Sequence, residues 1–164
     1  MNLRREQTVA TKAQHTDEWQ ARAVVMRTGI ILGVGVVGAF DEIAFHQLLQ
    51  WHNFYVHTTE YWRIVSDGIF NIFTATMLLW AALRLWLQRR LIADVAHSAS
   101  LCAGTLLGMG GFQLYDGIVN HKLLRLHPIR EGVVQILPYD LIWNVAAVLL
   151  LVAGWLVLRR TRAR

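Results

Sequence analysis

Phe40-Asp41-Glu42-Ile43-Ala44-Phe45-His46-Gln47-Leu48-Leu49-Gln50-Trp51-His52 has a partner later in the chain, Tyr115-Asp116-Gly117-Ile118-Val119-Asn120-His121-Lys122-Leu123-Leu124-Arg125-Leu126-His127. Both read aromatic-Asp-x-Ile-x-x-His-x-Leu-Leu-x-x-His. A second matched pair follows, Asp67-Gly68-Ile69-Phe70-Asn71 and Asp140-Leu141-Ile142-Trp143-Asn144, each Asp-x-Ile-aromatic-Asn. The offsets, 75 residues from Asp41 to Asp116 and 73 from Asp67 to Asp140, are those of an internal duplication with one small loop change.

The matched strings sit at the ends of four apolar stretches, roughly 25–51, 63–88, 98–124 and 138–158. At about 1.5 Å rise per residue, each is long enough to cross a hydrocarbon core. The expected fold is therefore all-α: an integral membrane four-helix bundle built from two parallel two-helix repeats. Residues 1–24 read as a polar cytoplasmic tail without the layout of a signal peptide. Residues 25–164 read as the membrane domain, with repeat one about 25–90 and repeat two about 98–160. A two-span unit returns the chain to its starting side, so both units point the same way about an axis along the membrane normal.

Composition agrees with lipid as the solvent. Of the 164 residues, 55% are hydrophobic and only 16% charged, too apolar for an ordinary soluble domain. The net charge of +5 raises the question of nucleic acid, and the placement of the basic residues answers it. Arg4, Arg5, Lys12, Arg22, Arg27, Arg84, Arg89, Arg90, Arg159, Arg160, Arg162 and Arg164 flank one side of the spans, against Arg63, Lys122, Arg125 and Arg130 on the other. That asymmetry fits a multi-pass plasma-membrane protein with both termini cytoplasmic, and no nucleic-acid partner. Its surroundings are the lipid bilayer and, with only four spans, an oligomer is open.

Cys102 is the single cysteine, which excludes an intramolecular disulfide and a thiolate metal cluster. Gly33-Val34-Gly35-Val36-Val37-Gly38 has the dinucleotide spacing but lies inside an apolar helix with no preceding strand, so it carries no nucleotide. Gly29 with Gly33 and Gly104 with Gly108 have the small-xxx-small spacing of closely packed membrane helices.

All the matched polar groups fall in the outer half of the spans, under loops of about 53–61 and 128–137. Imidazoles and carboxylates together suit iron, copper, zinc or manganese, with haem between His46 and His121 as a second option. The candidate ligands are His46, His121, Asp67, Asp140, Asp41, Asp116, His52 and His127, with Asn71, Asn144 and Glu42 as supporting groups. In a regular helix Asp41 and His46 stand about 140° apart, as do Asp116 and His121, so neither pair shares an ion unless the helix is distorted. His52 and His127 are expected at the interface, where a wetted polar role rivals ligation. Glu42 has Gly117 as its counterpart and is free to pair with His46, Lys122 or Arg125. His57 and Glu60 lack counterparts and rank lower. Two other readings compete: a non-catalytic helper whose Asp, His and Asn pairs only hold helices together, and a proton relay of buried His and Asp.

The strings from Phe40 to His52 and from Tyr115 to His127, with Ser66-Asp67-Gly68 and Leu137-Pro138-Tyr139-Asp140-Leu141, resemble an uncharacterised family of bacterial membrane proteins, domain of unknown function 2243 (DUF2243), over about residues 25–158. The resemblance implies no established activity and points to respiratory or metal-handling membrane proteins as partners. It also implies Gly and His where this chain has Glu42 and Asn71, which moves the weight of ligation from position 71 to His46 and His121.

Overall fold

A computed structural model describes the backbone of residues 2–162 and the side chains of residues 16–161, so the side chains of Arg4, Arg5, Lys12, His15, Arg162 and Arg164 lie outside it. Helix α1 (Asn2–Asp41) continues into a π-helical stretch, Glu42–Leu48. Helices α2 (Glu60–Leu87), α3 (Arg89–Ile92) and α4 (Val95–Tyr115) follow; α4 continues into a second π-helical stretch, Asp116–Leu123, and α5 (Leu137–Arg162) closes the chain. No strand occurs among the described residues. Residues 2–24, expected as a separate tail, run without a break into α1.

Local chemistry starts and stops these helices. Asp94 caps α4 by accepting the backbone N–H groups of Ala96 (3.1 Å) and His97 (3.3 Å). Pro138 sits in the first turn of α5, where a missing N–H costs nothing. Glu60 opens α2 with negative charge at the positive end of the helix dipole.

Three helical segments are long and apolar enough to cross a membrane: Thr16–Leu48, Glu60–Leu87 and Leu137–Thr161. Helix α4, expected as a fourth, is not among them, and its packing gives the reason. It lies between α1 and α5, while α2 covers the other flank of α1. Its buried positions are His97, Ser100, Ala103, Gly104, Gly108, Gly110 and Gln113, so small and polar residues take the place of large apolar ones. The flanking helices show the reverse: Ile64, Ile69, Ile72, Leu79 and Leu83 of α2, and Leu141, Ile142 and Leu149 of α5, are exposed. Small residues inside and large apolar ones outside is the distribution a bilayer selects.

Glycine sets the approach of α1 to α4. A Cβ at Gly29 or Gly33 would collide with the carbonyl oxygens of Leu101 or Thr105, and one at Gly104 or Gly108 with those of Met26 or Ile30. The expected small-xxx-small contact is thus the α1–α4 seam. Gly35 and Gly38 of the false dinucleotide motif pack against Leu78 and Thr74 of α2. Replacing Gly33 by Ala would force the backbones apart, at a cost of about 1–3 kcal/mol for overpacking. A lower thermal midpoint in detergent for Gly33→Ala, with Gly111→Ala as the control in open space, checks this; equal midpoints would refute the seam.

Candidate metal centre

The two π-helical stretches remove the obstacle that regular helical phase raised. A π-helix closes i→i+5 hydrogen bonds, so residues five apart stack over one another. Asp41 and His46 have this separation, as do Asp116 and His121. The distortion on which a shared face depends is this local unwinding: His46 Nε2 lies 3.7 Å from Asp41 Oδ2, and His121 Nε2 lies 2.9 Å from Asp116 Oδ2.

Each stretch then ends in the same manner. Leu49 N–H donates to Ala44 O (2.9 Å) and Trp51 N–H to Phe45 O (2.8 Å); Leu124 N–H and Leu126 N–H donate to Val119 O (2.7 Å) and Asn120 O (2.9 Å). Gln50 (φ 50°) and Arg125 (φ 51°) take the left-handed conformation between them. Outside glycine this conformation costs about 1–2 kcal/mol, and here it reverses the chain so that the next imidazole but one swings back toward the helix end. His52 and His127 are consequently 2% and 1% exposed. The expectation of wetted interfacial residues is corrected: both are buried in the cluster.

Four imidazoles meet there. The rings of His52 and His127 are stacked at 4.5 Å with an interplanar angle of 5°. His46 abuts His52 at 4.5 Å, and His121 abuts His127 at 4.7 Å. Asp41 and Asp116 border the rings and are also buried. One donor atom each from Asp41, His46 and His52 lies within 4.8 Å of the others, and the same holds for His52, His121 and His127.

His46 Nε2, His52 Nε2, His121 Nδ1 and both nitrogens of His127 make no hydrogen bond, with Asp41 Oδ1 beside them, while His121 Nε2 is paired with Asp116 Oδ2. Leaving a buried polar group unpaired costs about 1–3 kcal/mol each, so such a concentration needs a compensating partner. The outward-facing groups are, by contrast, held. His52 Nδ1–H donates to the Ile129 carbonyl (2.8 Å), which fixes the tautomer and leaves the Nε2 lone pair toward the cluster. His46 Nδ1–H donates to Asp67 Oδ1 (3.1 Å), with Glu42 Oε2 at 3.0 Å. Asp67 is itself fixed by the Phe54 N–H (2.7 Å) and the Asn53 amide (2.6 Å). Asn120 donates to Asp116 Oδ1 (2.8 Å). Carboxylates and carbonyls on the far side of imidazoles are the usual supports of metal ligands.

Other expected residues fall elsewhere. Asp140 binds Lys122 and lies outside the three donor groups found among the described residues. Asn144 donates to the Asp140 carbonyl (2.8 Å), and Asn71 is exposed on a cavity wall. The roles expected of these two are taken by Asn53 and Asn120. Of these, Asn120 stood within the quoted string one helical turn past Asp116; Asn53 carried no periodic signal because it lies in a loop. Glu42 pairs with His46 rather than with Lys122 or Arg125. His57 donates to the Arg125 carbonyl (2.7 Å) and lies outside the cluster. His97 bonds Asp94 (2.8 Å) at the start of α4.

The loops 49–59 and 124–136 roof the cluster and bind each other. Val56 N–H donates to Leu126 O (3.1 Å) and Glu131 N–H to Trp51 O (2.8 Å), with an Arg63–Glu131 ion pair at 2.9 Å. His52 and His127 belong to these loops, outside the spanning segments. Burial, then the positive charges of His127, His46 and His121, lower the His52 pKa to about 2. Burial lowers His127 to about 4, against the opposing pull of Asp116. Both imidazoles are therefore neutral and open to a cation at pH 7.

A depressed histidine pKa stabilises the fold fully above the unfolded value near 6.5, and that contribution is lost as pH falls toward the folded values, where only the unfolded chain gains protons. The thermal midpoint in detergent should accordingly drop between pH 6.5 and 4. His52→Asn should flatten this dependence, and an unchanged slope in the variant would contradict the assignment.

A family described as predicted membrane protein (DUF2243) matches residues 28–161. No curated protein and no solved structure matches the chain.

Proposed function

For a chain that belongs to the DUF2243 family of predicted membrane proteins, we propose that the four-histidine cluster is a two-ion transition-metal centre. Asp41, His46 and His52 hold one ion, and Asp116, His121 and His127 the other. The observation that carries this reading is the set of buried, unpaired imidazole nitrogens turned toward one another. A helper protein held together by intramembrane hydrogen bonds would use those nitrogens, whereas in His46 and His52 the bonds are spent on the opposite, Nδ1 edges of the rings. A proton relay would likewise need hydrogen-bonded links between the imidazoles. The donor set suits zinc, iron, manganese or oxidised copper. Haem fits less well, because the stacked His52 and His127 rings occupy the space beside His46 and His121.

Bundles of facing helices commonly build such centres from repeated carboxylate and histidine motifs. In this reading the two matched strings are a duplicated helix pair, α1 with α2 and α4 with α5. Helix α4 is a fourth span shielded by its neighbours. The distribution of arginines supports a reading with both termini in the cytoplasm and the centre in the extracytoplasmic half of the plasma membrane. The activity class is that of a metal-handling factor or a membrane metalloenzyme, in which the pair of ions would supply Lewis-acid or redox chemistry.

The test is elemental analysis of protein purified in detergent after growth with iron, copper, zinc and manganese, beside His52→Ala/His127→Ala. A pair of ions per chain should be present in the unaltered protein, and at most a residual fraction in the folded variant. A folded, metal-free parent protein would sink the proposal.

A further inference from the structure

The two halves differ sharply on the outer flanks of the cluster. Beside His46 a cavity of about 580 Å³ opens between the first π-helical stretch and α2, reaching Glu42, His46, His52 and Asp67. Position 68, on its wall, is Gly with open space around it. Glu42 is fully buried at 0% exposure; its Oε2 lies 3.0 Å from His46 Nδ1, while Oε1 accepts from Gln47 (3.0 Å). One donor atom each from Glu42, His46 and Asp67 lies within 4.8 Å of the others. Arg63, at the cavity edge, is bound to Glu131 and to the Val56 carbonyl (2.6 Å), so its charge is engaged in the roof.

The corresponding flank of the other half is shut. Gly117 stands in place of Glu42, with Asn144 Oδ1 and Trp143 Cδ1 only 2.8 Å from where its Cβ would be, so α5 fills that space. Lys122 stands in place of Gln47 and neutralises Asp140. The cluster therefore has one open, acidic approach and one closed, neutralised side. The His46 ring forms the boundary on the open side: its Nδ1 edge faces Glu42 and Asp67, and its Nε2 edge faces Asp41 and His52.

We propose that Glu42 and Asp67 form a docking station for a hydrated divalent cation, through which the buried centre loads and unloads on this side only. The inference rests on the reading of the cluster as metal-binding. The part-exposed Asp67 carboxylate suits an ion that still keeps part of its hydration shell, the buried Glu42 carboxylate adds negative charge behind it, and the imidazoles beyond suit the dehydrated ion. An acidic, low-dielectric cleft also concentrates cations and raises their association rate. Because the station lies on the path and outside the final ligand set, its loss slows loading and removal by the same factor and leaves equilibrium occupancy intact.

The experiment follows cobalt(II) absorbance in detergent-purified, metal-stripped protein, recording loading after mixing and removal by EDTA. Gln47→Lys, which carries the neutralising lysine of the closed half to the cavity wall, should slow both by about tenfold or more at unchanged final occupancy. Gln47→Met, without the charge, should keep the parent rates. Unaltered rates in Gln47→Lys, or a Gln47→Met as slow as Gln47→Lys, would overturn the station while leaving the buried centre standing. An unaltered protein that takes up no cobalt would overturn the centre and the station together.

Discussion

Four imidazoles and two carboxylates withdrawn from both lipid and bulk water impose the condition on which the rest of the molecule depends. In an apolar medium a polar group must be satisfied within the protein or by something it holds. The helix ends accordingly abandon regular α geometry. The π-helical winding brings Asp41 under His46 and Asp116 under His121, and the left-handed Gln50 and Arg125 turn the chain so that His52 and His127 complete the cluster. Neither device is favourable locally. Both are held in place by the loop-to-loop hydrogen bonds and by the carbonyl, carboxylate and amide partners behind each side chain, so local strain is maintained by the surrounding structure.

The glycine seam serves the same condition from the other end of the molecule. Close approach of α1 and α4 gives two long helices a shared, rigid axis, with α2 and α5 each packed on one of them. Rigid elements position ligands more narrowly than loops do. The apolar bulk that makes the chain insoluble in water lies on the outer faces, so the interior is left to small and polar residues.

The matched strings also differ at a few positions, and these differences set the surroundings of the two halves of the cluster. Glu42 against Gly117 and Gln47 against Lys122 decide which flank is open and which is closed; Phe45 against Asn120 decides which aspartate receives an amide. On the Asn120 side the carboxylate is held by its own helix. On the other side the support comes from α2 and the loop through Asp67, Asn53 and Phe54. A near-symmetric cluster with unequal surroundings distinguishes its two halves without changing its imidazole and carboxylate groups.

The sequence by itself determined the helical class, the membrane setting, the α1–α4 contact and the residues in the matched strings. These follow from short-range, periodic properties: apolar length, glycine spacing and the rarity of ionisable groups in apolar segments. Family membership was legible in the same strings. Only the tertiary structure decided that Asp41 and His46 share a face, that His52 and His127 are buried, that Asp140 is taken by Lys122 and that α4 is too polar to stand alone as a span. The reason is geometric. A 100° helical period read from the sequence assumes an unbroken α-helix, whereas the i→i+5 winding and the left-handed turns are stabilised by contacts between loops far apart in the chain, which no local pattern encodes.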